Sequence, residues 1–119
     1  MQYQQHKTLA LDFSNGRFDA CYSYMSEDLV WEIIGENQFT GKEAVEAQCR
    51  QTAAYFDSVT TEFITEAVLA DDRQVMVSGS AAFYRENKLL SFIKACDLYT
   101  FNASGQIVSI RSWCIPVKK

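Results

Sequence analysis

The chain has 119 residues and a mass of 13.6 kDa, room for one domain and for no second core of useful size. Hydrophobic residues make up 48% and charged ones 22%, which excludes a disordered chain. Lys and Arg number 11 against 15 Asp and Glu, and the resulting net charge of −4 argues against a broad phosphate-binding face, because nucleic-acid affinity needs clustered cations.

The longest basic run is the terminal Lys118-Lys119, and no stretch approaches the ~20 consecutive apolar residues of a membrane span. Residues 1–7 lack the apolar core of an export signal. A soluble, cytoplasmic domain with neither a nucleic-acid nor a membrane partner is expected.

In chain order, residues 3–13 suit a helix that stops at Ser14-Asn15-Gly16. Phe18, Cys21, Tyr22 and Met25 stand at i, i+3, i+4 and i+7, one face of a second helix, which Ser26-Glu27-Asp28 should end. Residues 29–34 are rich in β-branched and aromatic side chains and predict a strand. Residues 35–40 read as a loop or short hairpin return. Thr40-Gly41-Lys42-Glu43 matches a capping box, opening a helix with Val45, Cys49, Thr52 and Phe56 on one face.

Beyond residue 58 the period changes from 3.6 to 2. Residues 59–69, 74–84, 89–101 and 106–117 predict four long strands, separated by three short polar turns, so that successive strands pair antiparallel. Pro116 falls at the end of the last strand, where a missing N–H does least harm. Gly79, among Ser78, Ser80, Ala81 and Ala82, favours bending and leaves room beside the strand. The order predicts an α+β domain with helices on one face of a sheet.

Cys21, Cys49, Cys96 and Cys114 contain no Cys-x-x-Cys pair and sit in apolar contexts, so they read as small hydrophobes. Neither a metal site nor a disulfide scaffold is expected from them, given one histidine, His6, and no export signal.

Three stretches carry a resemblance that spans essentially the whole chain. They are Leu-Asp-Phe-Ser-Asn-Gly-Arg-Phe-Asp at residues 11–19, residues 28–35 with Phe39-Thr40-Gly41-Lys42-Glu43-Ala44-Val45, and residues 97–102 with 105–111. Together they resemble the nuclear transport factor 2-like superfamily, and within it the ketosteroid isomerase and SnoaL-like polyketide cyclase branch. The resemblance implies a cone-shaped, barrel-like α+β fold over residues 1–119. A strongly curved antiparallel sheet would wrap three helices of the N-terminal half and enclose an apolar pocket. The fold hosts isomerases, dehydratases, cyclases, epoxide hydrolases and binding modules, so it does not by itself define an activity.

By motif, Asp97 matches the isomerases' oxyanion aspartate, a carboxyl that the apolar site of those enzymes keeps protonated. Aspartate is depleted in strands, and one placed in mid-strand suggests a pocket-facing role. The isomerases' base position holds Ile33, their first-helix tyrosine position holds Leu9, and Cys49 matches a supporting tyrosine. Ketosteroid isomerisation by that mechanism is therefore not expected. Glu32, next to Ile33, should point to the opposite face of its strand. The dehydratase pattern needs a pocket histidine, whereas His6 reads as a solvated surface residue. The epoxide-hydrolase pattern needs an Asp-Arg-Asp set; Asp97 and Arg111 lie on adjacent strands, but no second strand aspartate accompanies them. A SnoaL-type acid needs one carboxyl near a carbonyl substrate, which Asp97 can supply.

Strand parity places Ala95 and Tyr99 on the side of Asp97. Motif match adds Ile110, Ser112 and Cys114 from the last strand, Trp31 and Ile33 from the first, and Leu9 and Phe13 from the first helix. The expected substrate-binding set is thus Leu9, Phe13, Trp31, Ile33, Cys49, Tyr99, Ile110, Ser112 and Cys114, with Asp97 as catalytic residue. Such a lining suits a small hydrophobic ligand with a carbonyl or hydroxyl, and no cofactor or metal is called for. The alternatives are a non-catalytic ligand-binding or assembly module, and a homodimer through the outer sheet face. Thr61, Phe63 and Thr65, or Thr60, Ile64 and Glu66, are the candidate sets for that face.

Overall fold

The computed structural model describes residues 2–118, so Met1 and Lys119, which belong to the two terminal stretches read above, lie outside it. Helix α1 (Gln2–Ser14) stops at Asn15-Gly16, as the stop signal predicts, and the chain re-enters order as a 3-10 helix at Phe18–Tyr24. That element was expected as a full helical face through Met25. Instead Met25 opens strand β1 (Met25–Ile33), and Ser26-Glu27-Asp28 forms an irregular stretch inside the strand, where pairing shifts between Met25 and Val30.

Strand β2 (Asn37–Thr40) returns as a short hairpin arm, followed by helix α2 (Lys42–Ser58). The capping box does not form. The cap residue is Gly41, at φ 94°, a conformation that favours glycine over threonine, and no side chain caps the helix. The Gly41 N–H donates to the Leu29 carbonyl at 2.7 Å, and the Gly41 carbonyl accepts from Val45 at 3.1 Å. The backbone bond to β1 sets the start of α2, so the Thr40 hydroxyl has no cap to make. Strands β3 (Thr60–Ala70), β4 (Gln74–Arg85), β5 (Lys88–Phe101) and β6 (Ile107–Pro116) follow within a residue or two of their predicted limits.

The six strands form one sheet in the order β2-β1-β6-β5-β4-β3. The long strands are antiparallel neighbours, but β1 runs parallel to β6, so the sheet is mixed rather than antiparallel throughout. A short-turn argument governs only strands adjacent in sequence, and β1 meets β6 after most of the chain has intervened. The sheet is open, with β2 and β3 as unpaired edges, so the barrel-like expectation holds for curvature and not for closure. Curvature has a local cause in β3, where Thr65 pairs with Gly79 and Ala67 with Ser78, leaving Glu66 as a bulge residue. The β3 backbone then presses on β4 so closely that a Cβ at position 79 would run into the Ile64 carbonyl.

The core lies between helices and sheet. Leu9, Ala10 and Phe13 of α1, Phe18 and Cys21 of the 3-10 helix, and Val45 and Cys49 of α2 pack on Leu29, Val75, Tyr99, Phe101, Ile107 and Ile110. All four cysteines are free thiols, and burial pushes those of Cys21 and Cys49 up to about 12, as expected of packing groups. Among the described residues, no helix is long and apolar enough to cross a membrane.

Candidate functional site

Strand register explains where the open space lies. Across the inner face runs a bulky row, Val75, Tyr99, Ile110 and Trp31, paired in that order. Two residues further along comes Val77, Asp97, Ser112 and Ile33, and beyond it Gly79, Ala95 and Cys114. The bulky row fills the space beneath the helices, and the small row leaves it empty. The result is a cavity of about 390 Å³ with Asp97 in its wall.

Aromatic rings build the remaining walls. Phe13 meets Phe18, Trp31 and Tyr99 edge-on at 4.8, 5.1 and 5.8 Å between centroids. Phe56 of α2 contacts Phe63 edge-on at 5.2 Å and stacks on Phe83 at 5.7 Å. Edge-on and offset pairs suit the ring quadrupoles and hold the wall in shape. Tyr55 and Ile64 are exposed and mark the rim.

Polar groups gather around Asp97. Ser14, the last residue of α1, donates its hydroxyl to Asp97 Oδ2 at 2.8 Å and lies 2.6 Å from the Tyr99 hydroxyl. Trp31 Nε1 donates to Ser112 Oγ at 3.0 Å, and Ser112 pairs with Asp97 across β5 and β6. Burial raises the Asp97 carboxyl above the ordinary carboxylate value, while hydrogen bonds from Ser112, Ser14 and Tyr99 pull it back down. Burial also holds the Tyr99 hydroxyl well above its ordinary value, with the Asp97 charge second. The Cys114 thiol is pushed up to about 11 by burial and then by Asp97, which leaves it a poor nucleophile.

Of the residues expected at the site, Phe13, Trp31, Ile33, Asp97, Ser112 and Cys114 line the cavity. Leu9, Cys49, Tyr99 and Ile110 are buried in the packed core beside it, and Tyr99 reaches the site only through its hydroxyl. The sequence reading missed Ser14, taken only as part of a helix stop, and the wall formed by Phe56, Phe63 and Phe83. Inward parity of Phe63 and Phe83 was the available signal. Phe63 therefore belongs to the inner face, and the set Thr61, Phe63, Thr65 is no outer surface.

His6 departs most from expectation. It is 1% exposed, stacks on Phe101 at 3.9 Å, and neither ring nitrogen has a hydrogen-bond partner among the described residues. It is neither solvated nor at the cavity. Arg111 does not approach Asp97; it lies over the Trp113 ring on the outer face and 3.9 Å from Glu32, which points outward as strand alternation requires.

An open, curved α+β cone whose cavity holds one carboxyl and no histidine among its lining residues defines a small-molecule-sized site of the nuclear transport factor 2-like class. The chain belongs to the family of SnoaL-like domains, whose model matches residues 8–110. An NTF2-like protein of unknown function from Cytophaga hutchinsonii is 27% identical, with 97% of this chain and 100% of that one covered and a TM-score of 0.87. An LEH-like epoxide hydrolase of M. tuberculosis is 19% identical, covering 92% of this chain and 77% of its own, with a TM-score of 0.66. The epoxide hydrolase/cyclase-like enzyme SalBIII, of pyran ring formation in polyether salinomycin, is 20% identical over 96% and 94%, with a TM-score of 0.67. These last two share the fold. No curated protein matches.

Proposed function

We propose that the cone cavity binds a small, largely apolar molecule carrying a carbonyl or hydroxyl oxygen, and that Asp97 is the group that meets this oxygen. The observation that carries the reading is a burial-raised carboxyl set in the wall of an otherwise apolar cavity of about 390 Å³. A neutral acid there donates a hydrogen bond, or a proton, to a substrate oxygen, as isomerase- or cyclase-like chemistry requires. Ile33 at the isomerase base position keeps ketosteroid isomerisation out of the proposal. The reading needs no cofactor, and four free thiols suit the reducing cytoplasm.

Carboxyl-carbon NMR, with Asp97→Asn for assignment, tests it. A titration clearly above the ordinary 3.8 is expected. A midpoint at or below that value would make Asp97 a solvated or ion-stabilised carboxylate and remove the donor role.

A second reading concerns assembly and can coexist with the first. Leu69 and its cross-strand neighbour Met76 are 70% and 37% exposed, and Ile115, 61% exposed, lies further along the same outer sheet face. A homodimer through this face would bury them.

A further inference from the structure

The cavity is longer than it is wide. The row of Asp97 and the row of Gly79 and Ala95 are continued along β4 and β5 by Ala81 paired with Ile93 and then by Phe83 paired with Ser91, and both pairs line the cavity. At ~3.3 Å per residue, the stretch of β5 from Asp97 to Ser91 measures about 20 Å.

The two ends differ. Past Asp97 the way is shut by Val75, Tyr99 and Ile110, which have no exposure. At the far end Tyr55 lies 5.7 Å from Phe83 between ring centroids and is 44% exposed, so the mouth is there. Among the lining residues Asp97 is joined by no second carboxyl and by no lysine, arginine or histidine. The charge-bearing group thus sits at the closed end, and the smallest side chains, Gly79, Ala95 and Ala81, lie between it and the mouth.

A volume of about 390 Å³ drawn out over about 20 Å leaves a mean cross-section of about 20 Å². The corresponding width is about 4 to 5 Å, little more than the ~3.5–4.0 Å contact distance between packed carbons, which is room for a single file of them.

We infer that the cavity is a slot for an unbranched aliphatic chain, whose polar end lies at Asp97 and whose tail runs past Gly79 and Ala95, with Ala81 and Ile93 setting the length it accepts. This inference rests on the cavity reading above and adds the shape of the molecule bound. Each methylene that enters the slot leaves water, so affinity should climb with chain length until the slot is full. A larger side chain in the third row stops the tail without touching the head.

The test is NMR titration with 1-hexanol, 1-octanol, 1-decanol and decahydro-2-naphthol, which has the carbon count of 1-decanol in two fused rings. A hydroxyl both donates and accepts, so this head group suits Asp97 in either protonation state. In the unaltered protein affinity should rise about threefold or more per methylene, on the order of a hundredfold from 1-hexanol to 1-decanol. Decahydro-2-naphthol should bind more weakly than 1-decanol. Ala81→Leu should leave 1-hexanol within about twofold and cut the gain toward 1-decanol to about tenfold or less. Ala95→Leu, one row deeper, should weaken 1-hexanol as well.

Binding of 1-hexanol with no gain toward 1-decanol, tighter binding of decahydro-2-naphthol, an undiminished gain in Ala81→Leu, or 1-hexanol binding unchanged by Ala95→Leu each overturns the slot and leaves the cavity reading intact. Binding of none of the probes overturns the cavity reading itself. Should Ala81→Leu fail to fold, Ile93→Phe narrows the same row from the neighbouring strand and should impose the same cut-off.

Discussion

His6 is a base held where it cannot be charged cheaply. Burial lowers its pKa, and both nitrogens go without partners among the described residues while the ring stacks on Phe101. In the unfolded chain the ring takes up a proton below about 6.5, whereas the folded chain resists it, so stability should fall as pH drops below that value. His6→Phe keeps the stack, deletes two unsatisfied atoms, and should add about 1 kcal/mol at pH 7 while flattening the acid side of the profile. Urea melts across pH check both. Asp97 has the opposite sign. Its raised folded pKa means the folded chain holds the proton more tightly, so its contribution is full below the ordinary 3.8 and is lost as pH rises through the folded value. Relative to the unaltered protein, Asp97→Asn should gain stability as pH climbs from about 4. Of these two residues, Asp97 was legible because aspartate is rare in mid-strand. His6 was not, because a lone polar residue near a chain end gives no sign of the Phe101 that arrives from β5.

The four long strands were readable because a period of 2 and short polar turns are local properties. The junctions were not, since each was decided by a neighbour remote in sequence. Gly41 replaces the Thr40 cap through its bond to Leu29, and the shift between Met25 and Val30 answers to β6. Gly79 is the sharpest case. Its small neighbours suggested bending, but the reason for glycine is the β3 backbone bulged against it. Gly79→Ala should destabilise by about 2 kcal/mol or more, since a backbone carbonyl must move to admit one methyl group. Chemical denaturation measures it. The same substitution intrudes on the small row that keeps the cavity open, so binding of any ligand there should weaken as well.

For the whole molecule, the open sheet leaves an outer face on which Leu69, Met76 and Ile115 have no covering element, and the proposed homodimer gives them one. Sedimentation equilibrium of Ile115→Lys should then show a shift from dimer to monomer, with the amide spectrum of cavity residues unchanged. A species of the same mass before and after the substitution would rule out this face as the interface. The sequence by itself determined the element order, the α+β class and the family, because hydrophobic period, turn chemistry and motif spacing are written along the chain. It also singled out Asp97 and part of the cavity wall, Ala95 by strand parity and Phe13, Trp31, Ile33, Ser112 and Cys114 chiefly by motif match. Only the tertiary structure decided that β1 lies parallel against β6, that Ser14 and Tyr99 meet at the carboxyl, and that Trp31 is tied to Ser112. Those contacts join residues 79 to 85 positions apart, and their geometry follows from register and curvature, which no local pattern encodes.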